Sequence, residues 1–253
     1  MTNPNPIQQA ADLLRSARRV AVLTGAGVSK ESGVPTFRDA QDGLWARYDP
    51  QELATALAFL RNPQLVWDWY EYRRGMVRAA QPNPGHHALA QLAPRFADFT
   101  LITQNVDDLH ERAGSTDVAH LHGNIARSKC FKNCRGEPTL IDVAQLETDE
   151  SPPKCPYCGE FVRPDVVWFG EMLPQNVLAR AMQASREAEL MLVVGTSGIV
   201  TPAAALPGLA REHGAQVIEI NPDETPISRV AHLRLVGRSG DVLPQLVEAL
   251  GAE

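Results

Sequence analysis

The chain lacks an apolar run of the roughly eighteen residues needed to cross a bilayer, so no membrane partner is expected. It also lacks a basic-then-apolar leader: Met1-Thr2-Asn3-Pro4-Asn5-Pro6 predicts a short tail, not an export signal. Positive charge is in deficit, 24 Lys and Arg against 30 Asp and Glu, and the net charge of -6 argues against an extended nucleic-acid footprint. There is no internal repeat and no low-complexity tract. Cysteine is scarce, four in 253 residues. With no leader and with thiols in metal spacing, a reducing cytoplasm is the consistent compartment.

Those four cysteines are nevertheless the most informative residues present. Cys130 and Cys134, then Cys155 and Cys158, fit a four-thiolate zinc site, and Cys155-Pro156-Tyr157-Cys158-Gly159 resembles a zinc-knuckle turn. Four thiolates close the tetrahedron, so one such Zn2+ per chain would be structural. The alternatives are two disulfides or four free thiols. The acidic stretch 137–154 argues against a zinc-ribbon interaction module that binds nucleic acid or a partner protein.

Short apolar segments recur at Val20–Thr24, Phe99–Thr103, Leu190–Val194, Gln216–Ile220 and Leu233–Val236. Most are continuous, as in parallel strands covered on both faces. Helix-compatible stretches lie between them at 7–18, 85–92, 178–187, 202–213 and 242–250. The alternation predicts an α/β fold with a doubly wound parallel sheet. Two segments break the rhythm: 39–84, rich in Trp and Tyr, and 125–165, which holds the cysteines. Both read as inserts forming a smaller zinc-binding and helical domain. The large Rossmann-like domain then comprises 1–38, 85–124 and 166–253. Val166-Val167-Trp168-Phe169 is expected to be a strand.

The first strand runs into Gly25-Ala26-Gly27-Val28-Ser29, a turn that lets backbone approach a phosphate. The third glycine of the dinucleotide fingerprint is missing, because Lys30 stands there, which disfavours an ordinary NAD dehydrogenase. Three other strands end in Gln104-Asn105-Val106-Asp107, Gly195-Thr196-Ser197 and Asn221-Pro222-Asp223. Four polar strand ends on one edge predict a large polar ligand, although any single one could be an ordinary helix cap. Of the histidines, His120 and His122 share the general-base role on sequence alone. His86, His87, His110, His213 and His232 read as structural.

GAGVSKESGVPTFRD at 25–39, TQNVDDLHERAGS at 103–115, HGN at 122–124, the four cysteines, VVWFGE at 166–171, GTS at 195–197 and NP at 221–222 occur in one order over nearly the whole chain. In these motifs the sequence resembles the sirtuin family. The resemblance implies an NAD-dependent protein-lysine deacylase that consumes NAD and yields nicotinamide and O-acyl-ADP-ribose. By position, Gly25, Ala26, Gly27, Ser29, Thr36, Phe37 and Arg38 would line the cofactor site. Gln104, Asn105, Val106 and Asp107 would surround nicotinamide and its ribose. Gly195, Thr196, Ser197, Asn221 and Pro222 would hold the adenosine half, and Ser239 would meet adenine. His122 would be the base and Asn105 would order the ribose and a water.

Acyl-lysine proteins would bind as an extra strand along Val167, Phe169 and Gly170. Tyr70 and Arg73, three apart on an expected helix, match the Tyr-x-x-Arg motif of sirtuins that remove succinyl and malonyl groups. Two departures lie near the acyl-lysine entrance: the loop 39–43 is one residue longer than in the best-known members of that class, and Asp165 stands where histidine is common. The alternatives are a deacetylase with little action on acidic acyl groups, and a protein mono-ADP-ribosyltransferase.

Overall fold

The computed structural model describes residues 5–35 and 48–251. After Asn5 caps its first turn, α1 (Pro6–Ser16) leads into β1 (Arg19–Thr24) and the short α2 (Ala26–Lys30). Then follow α3 (Pro50–Leu53), α4 (Ala56–Arg61), α5 (Pro63–Ala79) and α6 (Pro84–Leu92). Next come β2 (Asp98–Thr103), α7 (Leu109–Arg112), β3 (Ala119–His120), β4 (Gly123–Cys130), β5 (Leu140–Ile141) and β6 (Val162–Val166). The chain ends with α8 (Gln175–Glu187), β7 (Leu190–Val194), α9 (Leu206–Glu212), β8 (Gln216–Asn221), β9 (Leu233–Val236) and α10 (Ser239–Leu250).

Six strands form a parallel sheet in the order β3-β2-β1-β7-β8-β9. Alternate residues of each strand serve opposite faces. Val20, Val22, Ile218 and Ile220 pack with α1, α6 and α10, whereas Ala21, Leu23 and Val217 pack with α8 and α9. That double coverage is why the strands read as unbroken apolar runs. It also leaves the carboxyl ends of β1, β2, β7 and β8 as the open edge, where an α/β sheet receives its ligand.

A second, antiparallel sheet has the order β5-β4-β6, with a bulge between Asn124 and Ser128. Its strands begin at Gly123 and end at Val166, so they straddle the boundaries expected at 124 and 165. Ile125 and Val166 share a core with Phe59, Trp69, Tyr70 and Trp168 from both sides of the insert. Phe59 stacks on Phe131 at 5.6 Å and tilts against Trp168 at 5.3 Å.

Two expectations need correction. The strand expected over 166–169 stops at Val166: Val167 still donates in register to the His122 carbonyl at 2.9 Å, but the Trp168 amide turns to the Glu171 carboxylate at 2.8 Å and Phe169 to the Ala54 carbonyl at 2.9 Å. The helix expected over 202–213 is a 3₁₀ turn at Ala203–Ala205 followed by α9, with Pro207 in the first turn of α9 where its missing N–H is harmless.

Candidate active site

Backbone packing at the open edge requires glycine. The Gly25 amide donates to the Val194 carbonyl at 3.1 Å, and the Gly27 amide to the Gly195 carbonyl at 2.8 Å. A Cβ on Gly27 would sit 2.7 Å from the Gly195 oxygen, so any larger residue would push α2 off the β7 turn. Side chains tie the same turns together. Asn105 Nδ2 donates to the Gly25 carbonyl (3.1 Å) and to Ser29 Oγ (2.8 Å). Gln104 Nε2 donates to Thr196 Oγ1 at 2.8 Å, and Asn221 Nδ2 to the Thr196 carbonyl at 2.9 Å. Four strand ends thus form one hydrogen-bonded rim around a cavity of about 1250 Å³.

Every described residue expected to meet the cofactor lines this cavity, including Ala26, Val106, Ser197, Pro222 and Ser239. Thr36, Phe37, Arg38 and the loop 39–43 lie outside the described residues. Sequence reading gave no role to Glu31, whose carboxylate accepts from Ser239 Oγ (2.5 Å) and from the Gly240 amide (3.1 Å), pinning the start of α10 to the cavity wall. Asp107 is 4% exposed. Burial pushes its carboxyl up, against the opposing bonds from Ser29 and the Leu109 amide.

His122 lines the cavity and its Nδ1 lies 2.8 Å from the Gln104 carbonyl. A carbonyl only accepts, so Nδ1 carries the hydrogen and Nε2 holds the lone pair. Burial lowers the His122 pKa, although the Gln104 bond opposes this. The ring is therefore neutral near pH 7 with a basic Nε2, the state a general base needs. His120 does not line the cavity; its Nε2 is engaged by the Glu111 carboxylate. Of the two histidines, His122 alone lines the cavity.

On the opposite wall, Val167, Phe169 and Gly170 line the cavity, with Phe169 half exposed. Their loop is held from behind by Arg163, which sequence reading missed because nothing in Val162-Arg163-Pro164 marks it. Arg163 is 2% exposed. Its guanidinium bonds Glu171 twice, at 2.5 and 3.0 Å, donates to the Val166 carbonyl at 2.7 Å and lies 3.2 Å from the Trp168 ring centroid. Glu171 also accepts from the Trp168 amide at 2.8 Å. Burial alone would raise the Glu171 pKa, but Arg163 holds it below the usual value.

Tyr70 and Arg73 are both buried on α5. Arg73 lines the cavity, and Tyr70 stands behind it with its hydroxyl accepting from Trp168 Nε1 at 2.9 Å. Burial pushes the Tyr70 phenol up to about 12. Asp165 pairs with Arg127 (2.8 Å) and Lys129 (3.4 Å) on β4.

The four cysteine sulfurs lie within 4.8 Å of one another, none in a disulfide, with Cys130–Cys158 at 3.5 Å and Cys134–Cys155 at 3.8 Å. A tetrahedral zinc with Zn–S bonds near 2.3 Å needs sulfurs about 3.8 Å apart, so the set fits that ion. Gly159, at φ +74°, donates to the Cys155 carbonyl and closes the knuckle.

The Sir2 family model matches residues 25–202. The NAD-dependent protein deacylase 1 of Pseudomonas aeruginosa is 53% identical over 244 residues, 95% of this chain and 98% of that one. A crystal structure of a Sir2 homologue–NAD complex superposes with a TM-score of 0.88 at 46% identity, covering 96% of this chain and 93% of that one. A structure of a Sir2–p53 peptide–NAD+ complex has a TM-score of 0.84 at 32% identity, covering 96% and 97%. A doubly wound sheet with a glycine-built rim, a neutral histidine at the cavity and a four-thiolate knuckle defines the class. The chain belongs to the Sir2, or sirtuin, family.

Proposed function

We propose that this chain is an NAD-dependent protein-lysine deacylase. The observation that carries the reading is His122: a neutral imidazole, its tautomer fixed by Gln104, in a cavity that also holds the Gly25–Gly27 turn and Asp107. The P. aeruginosa relative is named for NAD-dependent protein deacylation. NAD would enter as substrate and supply an anomeric carbon with nicotinamide as leaving group. The rim from Gly25 to Asn221 would hold the dinucleotide. Ser29 and Asp107 would bind the carboxamide end, and Asn105 would orient the ribose. The acyl-lysine of a protein would lie along Val167, Phe169 and Gly170, its carbonyl oxygen directed at the anomeric carbon. That carbonyl oxygen would displace nicotinamide at the anomeric carbon. His122 Nε2 would then take a ribose hydroxyl proton, so that the hydroxyl oxygen attacks the acyl carbon, lysine leaves as the amine, and one water is consumed in releasing O-acyl-ADP-ribose. The Cys130, Cys134, Cys155 and Cys158 set would hold zinc structurally, with no open position for substrate.

The reading extends to acidic acyl groups. Arg73 on the cavity wall supports recognition of a succinyl or malonyl carboxylate, with the buried Tyr70 packed behind it on the same helix. Replacing Arg73 with Met should lower kcat/KM for succinyl peptide by about 10- to 150-fold, the range of a charged hydrogen bond, and spare acetyl peptide. An unchanged ratio would remove this part. Four cysteines committed to a thiolate metal set suit a reducing cytoplasm. Incubation with NAD and a mixture of acetyl, succinyl and longer-acyl lysine peptides, read by mass, tests the whole reading. Deacylated peptide with O-acyl-ADP-ribose is expected; ADP-ribosylated protein would contradict it.

A further inference from the structure

β3 pairs with β2 only at Ile102–Ala119 and Thr103–His120, and the Leu121 amide closes the ladder on the Thr103 carbonyl at 3.0 Å. The next two carbonyls of the β2 chain, Gln104 and Asn105, lie past the end of that ladder. Each faces a histidine ring: His122 Nδ1 is 2.8 Å from Gln104 O, and His120 Nδ1 is 3.4 Å from Asn105 O. His122 is accounted for as the base. His120 is not, yet its side chain is only 10% exposed and its Nε2 meets the Glu111 carboxylate on α7.

Both partners of His120 are pure acceptors. A neutral imidazole has one N–H and can satisfy one of them; the imidazolium satisfies both. The ring thus links a carboxylate on α7 to the peptide carbonyl of Asn105.

We infer that His120 and Glu111 form a positioning pair for the turn that carries Asn105 and Asp107, Glu111 fixing the ring and the ring fixing the Asn105 carbonyl. The inference rests on the proposed reading of that turn as the seat of the nicotinamide ribose. Neighbouring charges agree with it. Burial alone would raise the Glu111 pKa, but the bond and charge of His120, with Arg127 on β4, hold it below its usual value. His120 charge also opposes the upward push of burial on Asp107, and His110 is the other titratable group of α7 that feels it.

The test compares H120F, which removes both donors, with H120Q, which keeps one amide donor. The first readout is amide hydrogen exchange in the ligand-free protein. H120F should speed exchange across residues 104–109 and leave β7 and β8 unchanged. The second is nicotinamide formation: kcat/KM for NAD should fall on the order of tenfold, the worth of one charge-assisted hydrogen bond, with KM for acyl-peptide held within about twofold. H120Q should recover part of both. Parental exchange at 104–109 in folded H120F, or equal losses toward NAD and peptide with a lowered Tm, would overturn the inference. Should H120F fail to fold, E111Q must raise exchange over the same residues, and parental exchange there would refute the pair. Because exchange is read without NAD, a parent enzyme that released no nicotinamide would sink the deacylase reading and leave this measurement decisive.

Discussion

Replacing Glu171 with Ala should damage stability and peptide binding together. In the parent, Arg163 is 2% exposed and makes two bonds to Glu171 and one to the Val166 carbonyl. Removing the carboxylate leaves a buried guanidinium with one carbonyl and the Trp168 face. Breaking one side of a buried pair costs about 3–5 kcal/mol. Glu171 is 27% exposed by side chain, so water can reach the gap and the low end applies. About 3 kcal/mol corresponds to a Tm loss of about 6–12 °C for a protein of this size. The Trp168 amide loses its acceptor in the same step, so the loop with Val167, Phe169 and Gly170 slackens. KM for acyl-peptide should rise several-fold more than KM for NAD, read by steady-state kinetics beside calorimetry. A Tm within about 2 °C of the parent, with unchanged peptide KM, would refute the reasoning.

The buried pair His86 and His110, ring centroids 4.8 Å apart, should make the fold acid-sensitive. Burial pushes their pKa values down to about 4 and about 3, so this stability is complete above the unfolded value and lost as pH falls below about 6.5. Denaturant unfolding should show about 2 kcal/mol lost per histidine between pH 7 and pH 5, and a flat profile would contradict it. Metal analysis should find about one zinc per chain, and chelation should raise amide exchange in β4, β5 and β6 before the six-stranded sheet. Equal loss in both sheets, or no zinc, would count against the structural assignment.

Much of this was legible in sequence because the residues that build the cavity are consecutive. Strand ends at 24–29, 103–107, 194–197 and 220–222 carry their own turn chemistry, and parallel pairing brings them to one edge. The cysteine spacing was readable for the same reason, as two local knuckles. What escaped notice depends on contacts distant in sequence. Glu31 meets Ser239 across the fold. Arg163 owes its role to Glu171 and Trp168, which a chain of types cannot place beside it. The strand expected at 166–169 ends early because Trp168 bonds the Glu171 carboxylate and Phe169 the Ala54 carbonyl, partners that pattern alone does not place there. His120 and His122 differ in the carbonyl and carboxylate that each ring meets, which spacing alone does not show.

In the proposed reaction His122 acts after the nicotinamide bond is broken. Rapid-quench analysis of H122A with NAD and acyl-peptide measures nicotinamide and free peptide lysine separately. The account predicts a burst of about one nicotinamide per site, with deacylated peptide reduced by about 10²- to 10⁴-fold, the usual contribution of a general base. Parental yields of deacylated peptide from H122A would contradict it.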